Sequence, residues 1–151
     1  MDAITLLIDD HKRLKKMLAE GDETTERAEK TRTELFERLK DALLSHEQME
    51  EVVLYPALKA HPKAKDMALE AFEEHHVVDE ILEELGNTPV TDETWAAKFT
   101  VAKENLEHHM GEEEDEMFPQ CRKIFSEEEL EQMGSRMADI QMAAKQVRGA
   151  A

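Results

Sequence analysis

Cysteine is nearly absent from this 151-residue chain: the single Cys121 has no partner for an internal disulfide, so the fold cannot rest on covalent staples. Glycine (5) and proline (4) are scarce, which argues against a turn-rich β fold and for long helices. Aromatic residues make up 5%, leaving Leu, Ile, Val, Ala and nine Met residues to fill the core. No apolar run is long enough to span a bilayer, and the N-terminus has no signal-peptide pattern, so a soluble cytoplasmic protein is expected. Positive charge is also in deficit. The formal net charge of -17 excludes ready association with phosphate backbones or anionic membrane faces, and neither nucleic acid nor membrane is expected as a partner.

What is present is helical periodicity. A first helix is expected from Asp2 as N-cap to near Gly21, with Ile4, Leu7, Ile8, Leu14 and Leu18 on one stripe. A second runs from about Thr25 to Tyr55, disturbed or ended by Pro56. A third runs from about Lys63 to Leu85, stopped by Gly86-Asn87-Thr88-Pro89. The fourth starts near Thr91 or Asp92 and closes at Pro119. Ser126 and Glu129 form a capping box that opens a fifth, with Leu130, Met133, Met137, Ile140, Ala144 and Val147 on one face. Short connections make neighbours antiparallel. The expected fold is all-α: an up-down-up-down four-helix bundle over residues 1–120, with an additional C-terminal helix over 121–151 packed on it as part of a single domain.

Polar residues interrupt the apolar stripes at His11, His46, Glu50, His75, Asp79, His109 and Glu113. Any one of these histidines alone reads as a core histidine with a hydrogen-bond partner. Together they form a repeat. His46-x3-Glu50-Glu51-x3-Tyr55-Pro56 matches His109-x3-Glu113-Glu114-x3-Phe118-Pro119, and Asp10-His11-x2-Leu14 matches Glu74-His75-x2-Val78. The step from His11 to His46 is 35 residues and that from His75 to His109 is 34. The two halves should therefore be related by a pseudo-two-fold axis. Residues four apart share a helix face, so His46 with Glu50, and His109 with Glu113, each reach one point in the core. Buried carboxylates need a partner or a metal. Four imidazoles and two carboxylates suit a dinuclear iron centre. Ferritin-type bundles differ in being carboxylate-dominated, with Glu and His three apart.

The ordered set, a histidine on the first helix, His-x3-Glu on the second, a histidine on the third and His-x3-Glu on the fourth, resembles the hemerythrin-like family of cation-binding bundles over about residues 3 to 120. The resemblance implies that His11, His46, His75 and His109 are terminal ligands to two iron ions. It also implies that Glu50 and Glu113 bridge them, with an oxo or hydroxo group completing the core. The chain departs from the family's oxygen carriers, which have a second histidine four residues after the first on the third helix, where Asp79 stands here, and a five-residue His-to-carboxylate step on the fourth helix, where this chain has four. The donors then fill about ten of the twelve positions of two octahedral ions. Two open positions side by side suit turnover of peroxide or a related small oxidant, as in a catalase, better than reversible oxygen carriage. The rival reading is a module that binds or senses oxygen, nitric oxide or iron without turnover.

Three further residues are candidates as additional ligands or as supports of the ligands. Tyr55 is the only tyrosine and breaks the repeat opposite Phe118. Regular helix geometry turns it away from His46, so an inward phenol requires the second helix to break. Glu47 faces Met110 in the repeat, and Asp79 is expected on the inner face. His46-Glu47-x2-Glu50 lacks the second histidine of a zinc peptidase. A monomer or weak homodimer is expected, with peroxide or a diatomic molecule as the partner.

Overall fold

A computed structural model describes residues 1–150, with side chains through residue 147. Helix α1 spans Ala3–Asp22, and the Asp2 carboxylate accepts the Thr5 amide at 2.9 Å, satisfying one of the free donors of the first turn. Helix α2 spans Glu29–Met49 and runs into a π turn, Glu50–Leu54, then α3, Tyr55–Lys59. Helix α4 spans Lys65–Gly86. Helix α5, Trp95–Glu112, runs through a second π turn, Glu113–Met117, into α6, Phe118–Ile124. Helix α7 spans Glu127–Ala150. The Ser126–Glu129 capping box forms in both directions, at 3.2 and 3.1 Å.

The rods assemble as an antiparallel bundle: α1 lies beside α2 and α5, and α4 lies beside α3 and α5. The fifth rod, α7, covers α1, α2 and the first π turn. Its closest approach is at Gly134, where an added Cβ would stand 2.2 Å from the Met1 carbonyl oxygen. Leu130 and Met137 are buried, and Met133, Ile140 and Ala144 are partly so, whereas Val147 is exposed and off the packed stripe.

Neither proline ends its rod. Pro56 and Pro119 lack an N–H, so each removes one bond from the ladder, and the preceding residue donates five positions back instead: Tyr55 to Glu50 and Phe118 to Glu113. The wider turn accommodates the ring, and the helix continues for five residues in α3 and seven in α6.

The core is in two parts. One holds Ile4, Leu7, Met49, Leu54, Leu58, Ala68, Phe118 and the buried side of α7. The other holds Leu14, Leu18, Leu39, Leu43, Val78, Leu82, Trp95, Phe99 and Leu106. The four stripe histidines stand where each helix passes from one part to the other. The far end is tied by Arg32, 3% exposed, which donates to Thr24 Oγ1 at 2.9 Å and to the Val90 carbonyl at 2.8 Å, and lies 4.5 Å over the Trp95 ring.

Candidate metal centre

His11, His46, Glu50, His75, His109 and Glu113 are each at most 5% exposed and converge between the two apolar parts. One group comprises His11, His46, Glu50 and Glu113; a second comprises Glu50, His75 and His109. Glu50 Oε1 lies 3.2 Å from Nε2 of both His46 and His75. Glu113 Oε1 lies 3.3 Å from His11 Nε2 and 3.4 Å from His109 Nε2. Each glutamate thus reaches both groups, as a bridging carboxylate must.

The other ring nitrogens face outward onto a second layer of carboxylates that also obeys the two-fold repeat. His46 Nδ1 donates to Asp10 at 2.8 Å, and His109 Nδ1 donates to Glu74 at 2.5 Å. His11 Nδ1 is 3.6 Å from Glu114, and His75 Nδ1 is 3.6 Å from Glu51. At His46 and His109, a hydrogen held on Nδ1 leaves the Nε2 lone pair aimed inward. Sequence reasoning passed over these four carboxylates, although all stand at matched positions of the repeat. Asp10 and Glu74 precede the histidines of α1 and α4, and Glu51 and Glu114 follow Glu50 and Glu113.

Tyr55 enters the site without a break in the helix. Nine positions at about 100° each would carry it opposite His46, but the π turn absorbs roughly one residue and sets it back to within about 80°. Its hydroxyl donates to Glu113 Oε2 at 2.9 Å and lies 3.1 Å from His75 Nε2 and 3.3 Å from His109 Nε2. Phe118, its counterpart, also points inward and stacks on His11 at 5.6 Å. Glu47 is buried but outside the inner groups, beside Glu51 and His75; burial and a hydrogen bond to Asp79 push its carboxyl up to about 9. Asp79 is exposed and meets Glu47, which corrects its expected place on the inner face, because that stretch of α4 faces the solvent-side cleft beside α2. His76 and His108 are exposed and pair with Glu80 and Glu112 on their own helices. Cys121 is buried, and burial together with Glu113 pushes its thiol up to about 12, so it offers no activated thiolate.

Charge within the site is balanced by protons. Burial depresses an imidazole, yet Glu50 and Asp10 outweigh it at His46, which is held well above its ordinary value. Burial is likewise outweighed by Glu50 at His75, raised to about 9. Burial raises Glu113, helped by the facing Glu50. Glu50 itself, against burial, is held well below the usual carboxylate range by His46.

The donor set fits metal cations on two counts. His11 Nε2, His46 Nε2, both oxygens of Glu50 and Glu113 Oε1 are buried with no aligned hydrogen-bond partner, although their neighbours are close. His11, His46, Glu50 and Glu113 each offer a donor atom within 4.8 Å of the others', close enough to share a cation. The spacings are also those of a coordination shell, since cis donors on bonds of roughly 2.1 Å lie about 3 Å apart. His75 Nε2 and His109 Nε2 stand 3.0 Å apart, and the Tyr55 hydroxyl shares that edge.

The family profile described as Hemerythrin HHE cation binding domain matches residues 2–121. A solved structure of a hemerythrin HHE cation binding domain-containing protein from Mycobacterium kansasii is similar at 30% identity and a TM-score of 0.83, covering 99% of this chain and 89% of that one. Comparison with curated proteins returned no match. A profile spanning almost the whole bundle, and buried His/Glu groups at the matched positions of both halves, lead to one conclusion: the chain belongs to the hemerythrin HHE cation-binding family.

Proposed function

We propose that this protein holds two iron ions and turns over hydrogen peroxide, or a related small oxidant, in a catalase-like redox reaction. The observation that carries the reading is the pair of histidine groups joined by Glu50 and Glu113, with a phenol at one group only. His11 and His46 would hold one ion, and His75 and His109 the other. Iron would supply one electron per ion, so a pair matches the two-electron oxidation and reduction of peroxide.

The chain's own residues do the rest. Asp10 and Glu74 fix the tautomers of His46 and His109 and raise their basicity. The two apolar parts keep bulk water from the site. Tyr55, whose hydroxyl donates to Glu113 Oε2 at 2.9 Å, would bind at the His75–His109 group, its proton being released to solvent as both Glu113 oxygens take up cations. Burial, Glu50 and Glu113 hold the phenol well above its ordinary value, and cations at the site would reverse that field. With Tyr55 counted, the donors would fill about eleven of the twelve positions of two octahedral ions, and the remaining one would fall to the ion held by His11 and His46. On this reading one position would stay open in place of the expected two. A hard, anionic phenolate favours ferric iron, which supports peroxide chemistry over reversible oxygen carriage. Access is limited: the cavity reaching His109 and Glu113 has a volume of about 60 Å³, enough for a few waters but not an organic substrate.

The test is metal analysis of the purified protein with oxygen evolution from peroxide. About two irons per chain and steady evolution are expected. Two irons with a stable oxygen or nitric oxide adduct and no turnover would make it a binding or sensing protein. Glu113→Ala is expected to lose at least one iron, and full retention by mass spectrometry would remove its bridging role.

A further inference from the structure

The outer carboxylates of the two halves differ in one respect. Beside His11, Glu114 is taken by the Lys15 ammonium at 3.1 Å. In the other half, Asp79 stands at the position matching Lys15, and Glu47 at that matching Met110. Three carboxylates, Glu47, Glu51 and Asp79, therefore gather where the first half has one carboxylate and a cation. Among the described residues none of the three has a Lys or Arg within ion-pair distance.

A cluster of acids on an acidic protein would by itself mean little. Here the buried imidazole of His75, 2% exposed, turns an Nδ1 without a hydrogen-bond partner toward it. Donor atoms of Glu47, Glu51 and His75 all lie within 4.8 Å of one another. Glu47 is 4% exposed and Asp79 is exposed, and both line a surface cleft of about 390 Å³. The donors are hard oxygens and one imidazole nitrogen, which suit a divalent first-row cation.

We propose that Glu47, Glu51, Asp79 and His75 Nδ1 form a third divalent-cation site, in which an incoming ferrous ion is held before it reaches the inner pair. This rests on the diiron reading for its destination but not for its ligands. The ion sits where the other half carries a tethered ammonium, and one imidazole separates it from the inner group: His75 offers Nδ1 outward and Nε2 inward, and with an ion on each nitrogen the ring is an imidazolate whose proton leaves to solvent through the cleft.

The test compares the wild type with Asp79→Lys, which restores the other half's arrangement and fills the site with its own cation. Iron-loaded protein is titrated with Mn²⁺ and bound ion is counted by electron paramagnetic resonance; ferrous uptake by the metal-free protein is timed separately. Wild type is expected to bind one more Mn²⁺ per chain than Asp79→Lys. The variant is expected to take up iron about tenfold more slowly while reaching the same final content. Glu47→Gln, which preserves shape, should behave alike if the lysine disturbs folding. Equal Mn²⁺ binding in all three overturns the site, and equal uptake rates overturn the entry role. A lower final iron content in Glu47→Gln would place Glu47 in the inner shell and also overturn it. The Mn²⁺ difference persists even if the wild type never accepts an iron pair, so failure of the diiron reading is seen separately.

Discussion

One hydroxyl separates the two halves of the site. Tyr55 and Phe118 occupy matched positions, face inward alike and pack against histidines, but only Tyr55 brings an oxygen to within 3.1 Å of His75 Nε2. Tyr55→Phe should therefore keep both metals and the fold but lose any phenolate-to-iron band from the visible spectrum; an unchanged spectrum would leave Tyr55 a bystander. A second expectation concerns protons. His75, raised to about 9 from 6.5, stabilises the metal-free fold fully below pH 6.5 and loses that contribution as pH rises through 9. Glu47, raised from 4.5 to about 9, acts in the same direction over its own window. Thermal melting of metal-free protein should fall between pH 6.5 and 9, while metal affinity rises over the same range as cations displace the protons. A flat melting profile would mean that His75 is not charged in the empty site. At this scale the sequence was informative where a polar residue broke an apolar stripe, as at His11 or Glu50. It was uninformative for Arg32, whose partners are the hydroxyl and carbonyl of Thr24 in the preceding loop and the carbonyl of Val90, far away in the chain.

Helix phase explains what the sequence concealed. Periodicity located all five rods, and Asp2, Ser126 and Glu129 marked two starts correctly. The second and fourth rods begin later than expected, at Glu29 and Trp95, because Thr24 and Asp92 are engaged in local turns before them. A period of 3.6 residues cannot foresee a π turn, so an inward Tyr55 was expected only with a break in the helix. Two prolines, each six residues after a buried glutamate of the site, were the available signal, and they widen the helix rather than stop it. The fifth rod gives a prediction of its own. Gly134→Ala would drive a methyl into the main chain at Met1 and Ala3, contacts of 2.2 and 2.9 Å that no rotamer relieves. It should cost about 1–3 kcal/mol in denaturant unfolding. Metal content should stay unchanged; a loss of iron would show that α7 holds the first π turn in place.

Across the whole molecule, a layer of imidazoles and carboxylates divides the core. In an ordinary bundle of this size one apolar interior runs from end to end. Here the protein places its least apolar cross-section at mid-height, within a chain of net charge -17. Removing the metals with a chelator should lower the melting temperature markedly. Added salt should recover part of that loss by screening the acidic surface, whereas the loaded protein should respond less. Equal melting temperatures with and without metal would mean that the protonated layer is as good a filling as the cations.

The divided interior also bears on how the molecule comes apart. Cations bonded to all four main rods would act as a mechanical joint, so that neither end opens without the other and calorimetry records one cooperative transition. Without them, the end closed by Trp95 and Arg32 and the end covered by α7 share only a hydrated seam, and each can fray on its own. Proteolysis would then cut the empty protein first within one end, so that metal occupancy is converted into the lifetime of the chain itself.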